Sequence, residues 1–225
     1  MSLDVQLVLL LWGTLVGLDL VSVPQMMIAR PLVAGAGAGL ILGDIELGLR
    51  LGVLFELFQL DVLPVGAARY PEYGPATVAA VSAGHLLTGA GGLALGALVG
   101  LPVAMLGGLS LHVLRRLNAR AVRGAASRIE QGDPRALVHV HVGGIVRDAV
   151  RAALVTGGAL AVAWVARATI AGTLSQRGFV AVAVAAAAAA LAAAGTGTLR
   201  LVGRGPLLRW FAVGLGGGAL AVWLR

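Results

Sequence analysis

The feature that most constrains this chain is residues 28–75, an apolar stretch broken by glycines and studded with carboxylates. Glu56 falls inside the run Leu49–Val65, which otherwise reads as membrane helix. A charge at bilayer depth costs about 2.5–3.5 kcal/mol even on the lenient insertion scale, so it needs a partner, a protein-lined cavity or a substrate. Short apolar segments interrupted by Gly and Pro beside such a charge are the sequence pattern of a transporter binding site.

The rest of the chain is of the same kind. It is 59% hydrophobic and 12% charged, against about 25% charged in soluble domains, and its apolar runs recur from end to end. This predicts an all-α, polytopic membrane protein with re-entrant or broken helices, organised as a single membrane domain over 1–225. All 17 basic residues are Arg. The formal charge of +7 does not point to nucleic acid, because the arginines sit between apolar spans, where a positive-inside bias accounts for them. There is no Cys, which excludes a disulfide framework, thiolate chemistry and Cys-ligated metal. The N-terminus has no positive n-region, so the apolar run from Val5 is read as a first span rather than a cleavable leader.

Leu7–Val23 is the first expected helix. Pro31–Gly43 is too short to span, since a crossing takes about 20 residues, and is read as a half-helix or one arm of a re-entrant hairpin. Gly48–Val65 follows and ends at Pro64-Val-Gly66. A polar loop, Ala67–Pro75, leads to two apolar stretches, Thr77–Leu93 and Leu93–Leu111, divided by the glycines at 89–92. Residues 112–135 hold six Arg with Glu130 and Asp133. Leu114, Leu117, Ala121 and Ala125 recur there at helical spacing, which predicts an amphipathic helix at the cytoplasmic interface, closed by a Gln131-Gly-Asp-Pro turn. Ala136–Ala166 carries Arg147, Asp148 and Arg151, so its first half is expected to be interfacial or packed inside the bundle. Phe179–Gly195 and Leu207–Leu224 are the last two expected helices.

Gly35-Ala-Gly-Ala-Gly39 lacks the strand and crossover of a dinucleotide site; Gly35, Gly39 and Gly43 instead form a GxxxG series that permits close helix packing. Glu56 has two readings: a contact on a ligand pathway, or an ion pair with Arg50 or Arg69. Helical spacing puts Gly52, Glu56 and Gln59 on one face, and a carboxylate beside an amide supplies both the acceptors and the donors that sugar hydroxyls need. Asp44 is either the N-cap of the following helix or part of a site. Asp61 and Glu72 flank the Pro64-Val-Gly66 turn. The two imidazoles of His139-Val-His141 point in different directions on a helix, so no metal site is expected. No Ser/His/Asp or Cys/His constellation occurs, and no catalytic residue or cofactor is assigned.

With these residues in view, the chain resembles the IIC membrane subunit of the mannose/fructose/sorbose family of the phosphoenolpyruvate-dependent sugar phosphotransferase system. The resemblance is carried by Arg30-Pro-Leu, Gly39-Leu-Ile-Leu-Gly-Asp44, Gly48, Leu54-Phe-Glu56-Leu, Pro64-Val-Gly66 and Pro71-Glu72, with a looser match at His141-Val and Arg151. It covers roughly residues 5–165. It implies a permease subunit in the bacterial inner membrane that binds a hexose-type sugar and pairs with a IID membrane subunit in a larger oligomeric complex. Soluble IIA and IIB domains would carry the phosphoryl group, leaving no covalent chemistry to this subunit. It further implies sugar contact at Glu56 and Glu72, with Asp44, Gln59 and Gly66 around them. Glu72 stands where the family carries aspartate, and the chain stops where members usually continue. A non-transporting regulatory or assembly subunit is therefore the alternative, with the basic 112–135 segment as its contact with other subunits.

Overall fold

A computed structural model of the chain describes residues 2–60, 62, 68–202, 209–210 and 213–214. Asp61, the Pro64-Val-Gly66 turn and nearly all of the expected helix Leu207–Leu224 lie outside the described residues. Seven helices occur among them: α1 (Leu3–Asp19), α2 (Pro31–Leu42), α3 (Ile45–Gln59), α4 (Tyr73–Gly84), α5 (Ala90–Glu130), α6 (Pro134–Ile170) and α7 (Gln176–Val202).

The helices fall into two length classes. α5, α6 and the Gln176–Thr196 part of α7 are long and apolar enough to cross a membrane. α2, α3 and α4 have 12, 15 and 12 residues and are too short to do so. Backbone that ends inside a membrane must be covered by protein, and the structure supplies that cover. Every residue of α4 is buried, as expected of a helix with no polar face. α2 and α3 form an antiparallel hairpin, packed on α1, α4 and α7.

Missing side chains hold that hairpin together. A Cβ on Gly39 would lie 2.8 Å from the Asp44 carbonyl and 3.1 Å from the Gly48 Cα, and one on Gly52 would lie 2.9 Å from the Leu32 Cα. Gly35 and Gly48 press on each other's carbonyls. Of the glycine series expected to pack closely, Gly35 and Gly39 do so, against Gly48 and Gly52 on α3, whereas a Cβ on Gly43 would meet nothing within 4 Å. Gly43 turns the chain between the arms in the left-handed region at φ 71°, where a Cβ is disfavoured. From α1, the Trp12 indole donates to the Ala34 carbonyl at 2.9 Å.

Two sequence expectations need correction. Thr77–Leu93 is not one stretch: α4 ends at Gly84, and the break lies at 85–89, closed by Gly89 at φ 61°, rather than at 89–92. Nor is 112–135 a separate interfacial helix. It continues α5 without interruption to Glu130, because nothing between Leu111 and Glu130 stops a helix, and Pro102 is accommodated inside it. With 41 and 37 residues, α5 and α6 are about 60 and 55 Å long, against a hydrocarbon core of about 30 Å. Their hairpin therefore projects well beyond the bilayer. At its tip Gly132 turns at φ 79°, and Asp133 caps α6. The Arg128 guanidinium, 2.6 Å away, holds the Asp133 carboxyl below the usual carboxylate range. Since α5, α6 and α7 alternate in direction, the Arg-rich tip and the C-terminal end of α7 lie on the same side.

Replacing Gly48 with Val should lower the midpoint of thermal unfolding in detergent, a loss of about 1–3 kcal/mol or more from overpacking. Gly158→Ala, where a Cβ meets nothing within 4 Å, should leave the midpoint unchanged or slightly raised.

Candidate functional site

The site begins at the N-terminus of α4. Residues 70–72 cross α5 over two glycines: the Glu72 amide donates to the Ala104 carbonyl at 2.8 Å, and a Cβ on Gly108 would collide with the Tyr70 carbonyl. A Cβ on Gly107 would lie 2.8 Å from a Glu72 carboxylate oxygen. Only glycine at 107 leaves space for that carboxylate. From α5, the Arg115 guanidinium straps the segment by donating to the Ala68 carbonyl at 2.8 Å and the Tyr70 hydroxyl at 2.7 Å. Arg115, in the basic 112–135 segment, is half-buried on Tyr70.

Glu72 is 1% exposed and is held by Arg151 of α6. The guanidinium donates to both carboxylate oxygens, at 2.6 and 3.0 Å, in a bidentate fork. Its Nε donates to Asp148 at 2.8 Å, and its remaining hydrogens go to the Ser110 hydroxyl at 3.2 Å and the Gly17 carbonyl at 3.1 Å. All five guanidinium donors are thus used. Asp148 is fully buried and takes a further hydrogen bond, 2.5 Å long, from the Ser22 hydroxyl. Arg147, Asp148 and Arg151 had prompted the expectation of an interfacial or bundle-packed segment; the second reading holds for Asp148 and Arg151.

Gln59, at the end of α3, shares a cavity with Glu72, walled by Leu20, Ala29, Tyr70, Tyr73 and Pro75. The cavity measures about 20 Å³, room for about one water molecule. A sugar ring does not fit it in this conformation. Tyr73 stacks on Phe58 at 6.2 Å between ring centroids and lies 6.0 Å from Phe55, which fixes the aromatic wall.

Glu56 lies one turn before Gln59. Its expected partners were Arg50 or Arg69, but Arg50 pairs with Glu46 one turn away on α3, and Glu56 pairs with Arg30. The same carboxylate accepts from the Leu32 amide at 3.2 Å, so it also satisfies a free amide at the start of α2, where a negative charge is favoured. Arg30 reaches it because buried Asp19 ties the preceding loop, accepting from the Met26 amide at 2.6 Å and the Ala29 amide at 2.9 Å. Asp44 sits apart. It is the N-cap of α3, accepting from the Leu47 amide at 3.2 Å, with the His85 imidazole 3.8 Å away. The length of α3, about 22 Å, separates it from Gln59. Gly66 lies outside the described residues. The structure therefore joins Gln59 to Glu72, keeps Glu56 beside them and leaves Asp44 at the far end.

Sequence reasoning missed Arg30, Gly107 and the role of Arg151 as the cation that Glu72 requires. A fully buried carboxylate calls for such a partner, but a separation of 79 positions gave no local signal. Among the described residues no group of three or more His, Asp or Glu side chains could hold a metal.

The chain matches a family model, the sorbose-specific IIC component of the phosphotransferase system, over residues 5–214. The sorbose-specific EIIC component of Lacticaseibacillus casei is 32% identical over 154 residues, 68% of this chain and 54% of that protein. The mannose-specific EIIC component of Escherichia coli (strain K12) is 30% identical over 128 residues, 56% of this chain and 46% of that protein. The chain thus spans about half the length of the curated relatives it matches. Among solved structures, one described only as a membrane protein superposes with a TM-score of 0.75 at 19% identity, covering 100% of this chain and 96% of that one. A chain of the mannose transporter ManYZ in complex with microcin E492 superposes with a TM-score of 0.57 at 19% identity, covering 97% and 87%. At that identity these two show the shared fold.

Arg151→Met should cost about 3–5 kcal/mol, because it leaves Glu72 and Asp148 buried without their cation. In a double-mutant cycle on unfolding in detergent, Glu72→Gln with Arg151→Met should lose less than the sum of the two single losses.

Proposed function

We propose a function from the premise that this chain belongs to the family of sorbose-specific IIC components of the phosphotransferase system: it is the membrane permease subunit of a bacterial sugar phosphotransferase system. Acting as one inner-membrane domain with a IID subunit, it binds a hexose-type sugar and moves it across the bilayer. Phosphoryl transfer belongs to partner IIA and IIB domains.

The observation that carries this reading is the cavity shared by Glu72 and Gln59 at the start of the buried half-helix α4. A carboxylate and an amide there offer acceptors and donors for sugar hydroxyls, and the aromatic wall of Tyr73 suits the apolar face of a pyranose ring. We place Glu72 and Gln59 in direct contact with the sugar, with Glu56 beside them through its hold on α2; Gly66 stays a site residue on the family resemblance alone. Asp44 orders the far end of the hairpin. The cavity is closed around a space for one water, so sugar entry requires the hairpin α2–α3 to move relative to α4 and α5. In this closed state Arg151 neutralises Glu72 until hydroxyl groups compete for it.

The test is a sugar panel read by thermal shift on the chain co-purified with its IID subunit. One hexose or amino sugar should raise the unfolding temperature, and Glu72→Gln and Gln59→Leu should each weaken that sugar by about tenfold or more, the loss of a charge-assisted or well-placed hydrogen bond. Glu56→Gln should weaken it less, since glutamine still accepts from the Leu32 amide. A stable complex that responds to no sugar would overturn the permease reading.

A further inference from the structure

Beside the buried network, and sharing Ser22 with it, lies a second polar feature. An open cleft of about 370 Å³ separates the loop after α1 from the facing sides of α5 and α6, lined by Ser22, Gln25, Asn118, His141, Gly144 and Arg147. Asn118 is 28 residues into α5, about 40 Å along its axis. The cleft therefore sits toward the projecting part of the α5–α6 hairpin, near the membrane boundary.

Its chemistry is one-sided. Among the described residues that line it, none carries a carboxylate. Asp148, next to Arg147 in sequence, is turned away and bound by Arg151 and Ser22. Asn118 accepts from the Arg147 Nε at 2.8 Å, which fixes the plane of the guanidinium. The Arg147 Nη2 is buried and has no hydrogen-bond partner. Among the described residues no carboxylate lines the cleft to pair with Arg147, and the group that best matches such a guanidinium is a planar or tetrahedral oxyanion.

The backbone is shaped to the same end. Gly143 lets the guanidinium lie against α6, where a Cβ would stand 3.2 Å from its Nη1. Gly144 leaves the floor open, and a Cβ there would only reach ordinary contact with the Asn118 amide at 3.9 Å. Gln25, on the opposite wall, is held in the left-handed region at φ 60°, a conformation costly for a side-chain-bearing residue and concentrated at functional positions. The surrounding loop is fixed there by the Asp19 hydrogen bonds to Met26 and Ala29.

We infer that this cleft is an oxyanion site for a phosphate monoester, with Arg147 as the anchoring cation and Asn118, Gln25 and His141 as surrounding donors. The phosphate has two possible sources, a free phosphorylated solute or the headgroup of an anionic lipid. The inference does not depend on the permease reading.

The test uses the full chain in nanodiscs of phosphatidylcholine, titrated with inorganic phosphate at constant ionic strength and pH against chloride. Saturable binding is expected, weakened by about tenfold or more in Arg147→Gln and partly retained in Arg147→Lys. Gly144→Leu, which fills the cleft and keeps the cation, should weaken binding similarly at an unchanged unfolding temperature. Repeating the titration in nanodiscs containing phosphatidylglycerol separates the sources. Unchanged phosphate binding assigns the site to a free solute, and competition that disappears in Arg147→Gln assigns it to the lipid headgroup. Absence of saturable phosphate binding in phosphatidylcholine, or binding that Arg147→Gln and Gly144→Leu leave untouched, overturns the inference.

Discussion

The structure depends on one buried guanidinium. Arg151 ties together α1 through the Gly17 carbonyl, the entry to α4 through Glu72, α5 through Ser110, and its own helix through Asp148. A cation in a bundle this apolar is sustained only when its charge and all of its donors are answered, and here five acceptors answer five donors. The carboxylates are equally dependent on it. Glu72 can stand at the start of a half-helix inside the bundle because Arg151 is there, and α4 can begin where it does because Glu72 can.

Steric absence does the rest. The short helices are buried by close approach at glycines: Gly39 and Gly52 between α2 and α3, Gly96 under the Leu51 side chain, and Gly107 and Gly108 under the 70–72 crossing. Without a solvent-driven hydrophobic force between helices in lipid, such close contact is a main source of association. It also makes these interfaces intolerant of added volume, whereas Gly158 and Gly172, with open space around them, carry no such constraint.

Much of the fold was legible because its signals are local. The length of Pro31–Gly43 against the span of a bilayer identified a half-helix or re-entrant arm, and the GxxxG series identified its packing face. The capping role of Asp44, left open between two readings, needs only the three-residue reach to Leu47. What was not legible required information from distant parts of the chain. Arg30 and Glu56 are 26 residues apart, and Arg151 and Glu72 are 79 apart; no periodicity encodes such pairings, so the nearer Arg50 and Arg69 were the natural candidates for Glu56. Polarity likewise misled at 112–135. A run of arginines reads as a separate interfacial helix, yet helix continuity is set by the backbone and its breakers, and there is none before Gln131. Gly107 was invisible because its function is the space it leaves for a side chain elsewhere.

Arg147 and Asp148 are successive residues on α6, one facing an open cleft and the other closing the buried network, and Ser22 touches both environments. A single peptide unit thus joins a wet surface to a dry interior. Any rotation of α6 that re-aims one of these side chains re-aims the other, so the two cannot be set independently. A group that holds the outer side chain in place therefore also biases the inner one, and by reciprocity whatever loosens the inner contacts alters affinity at the surface.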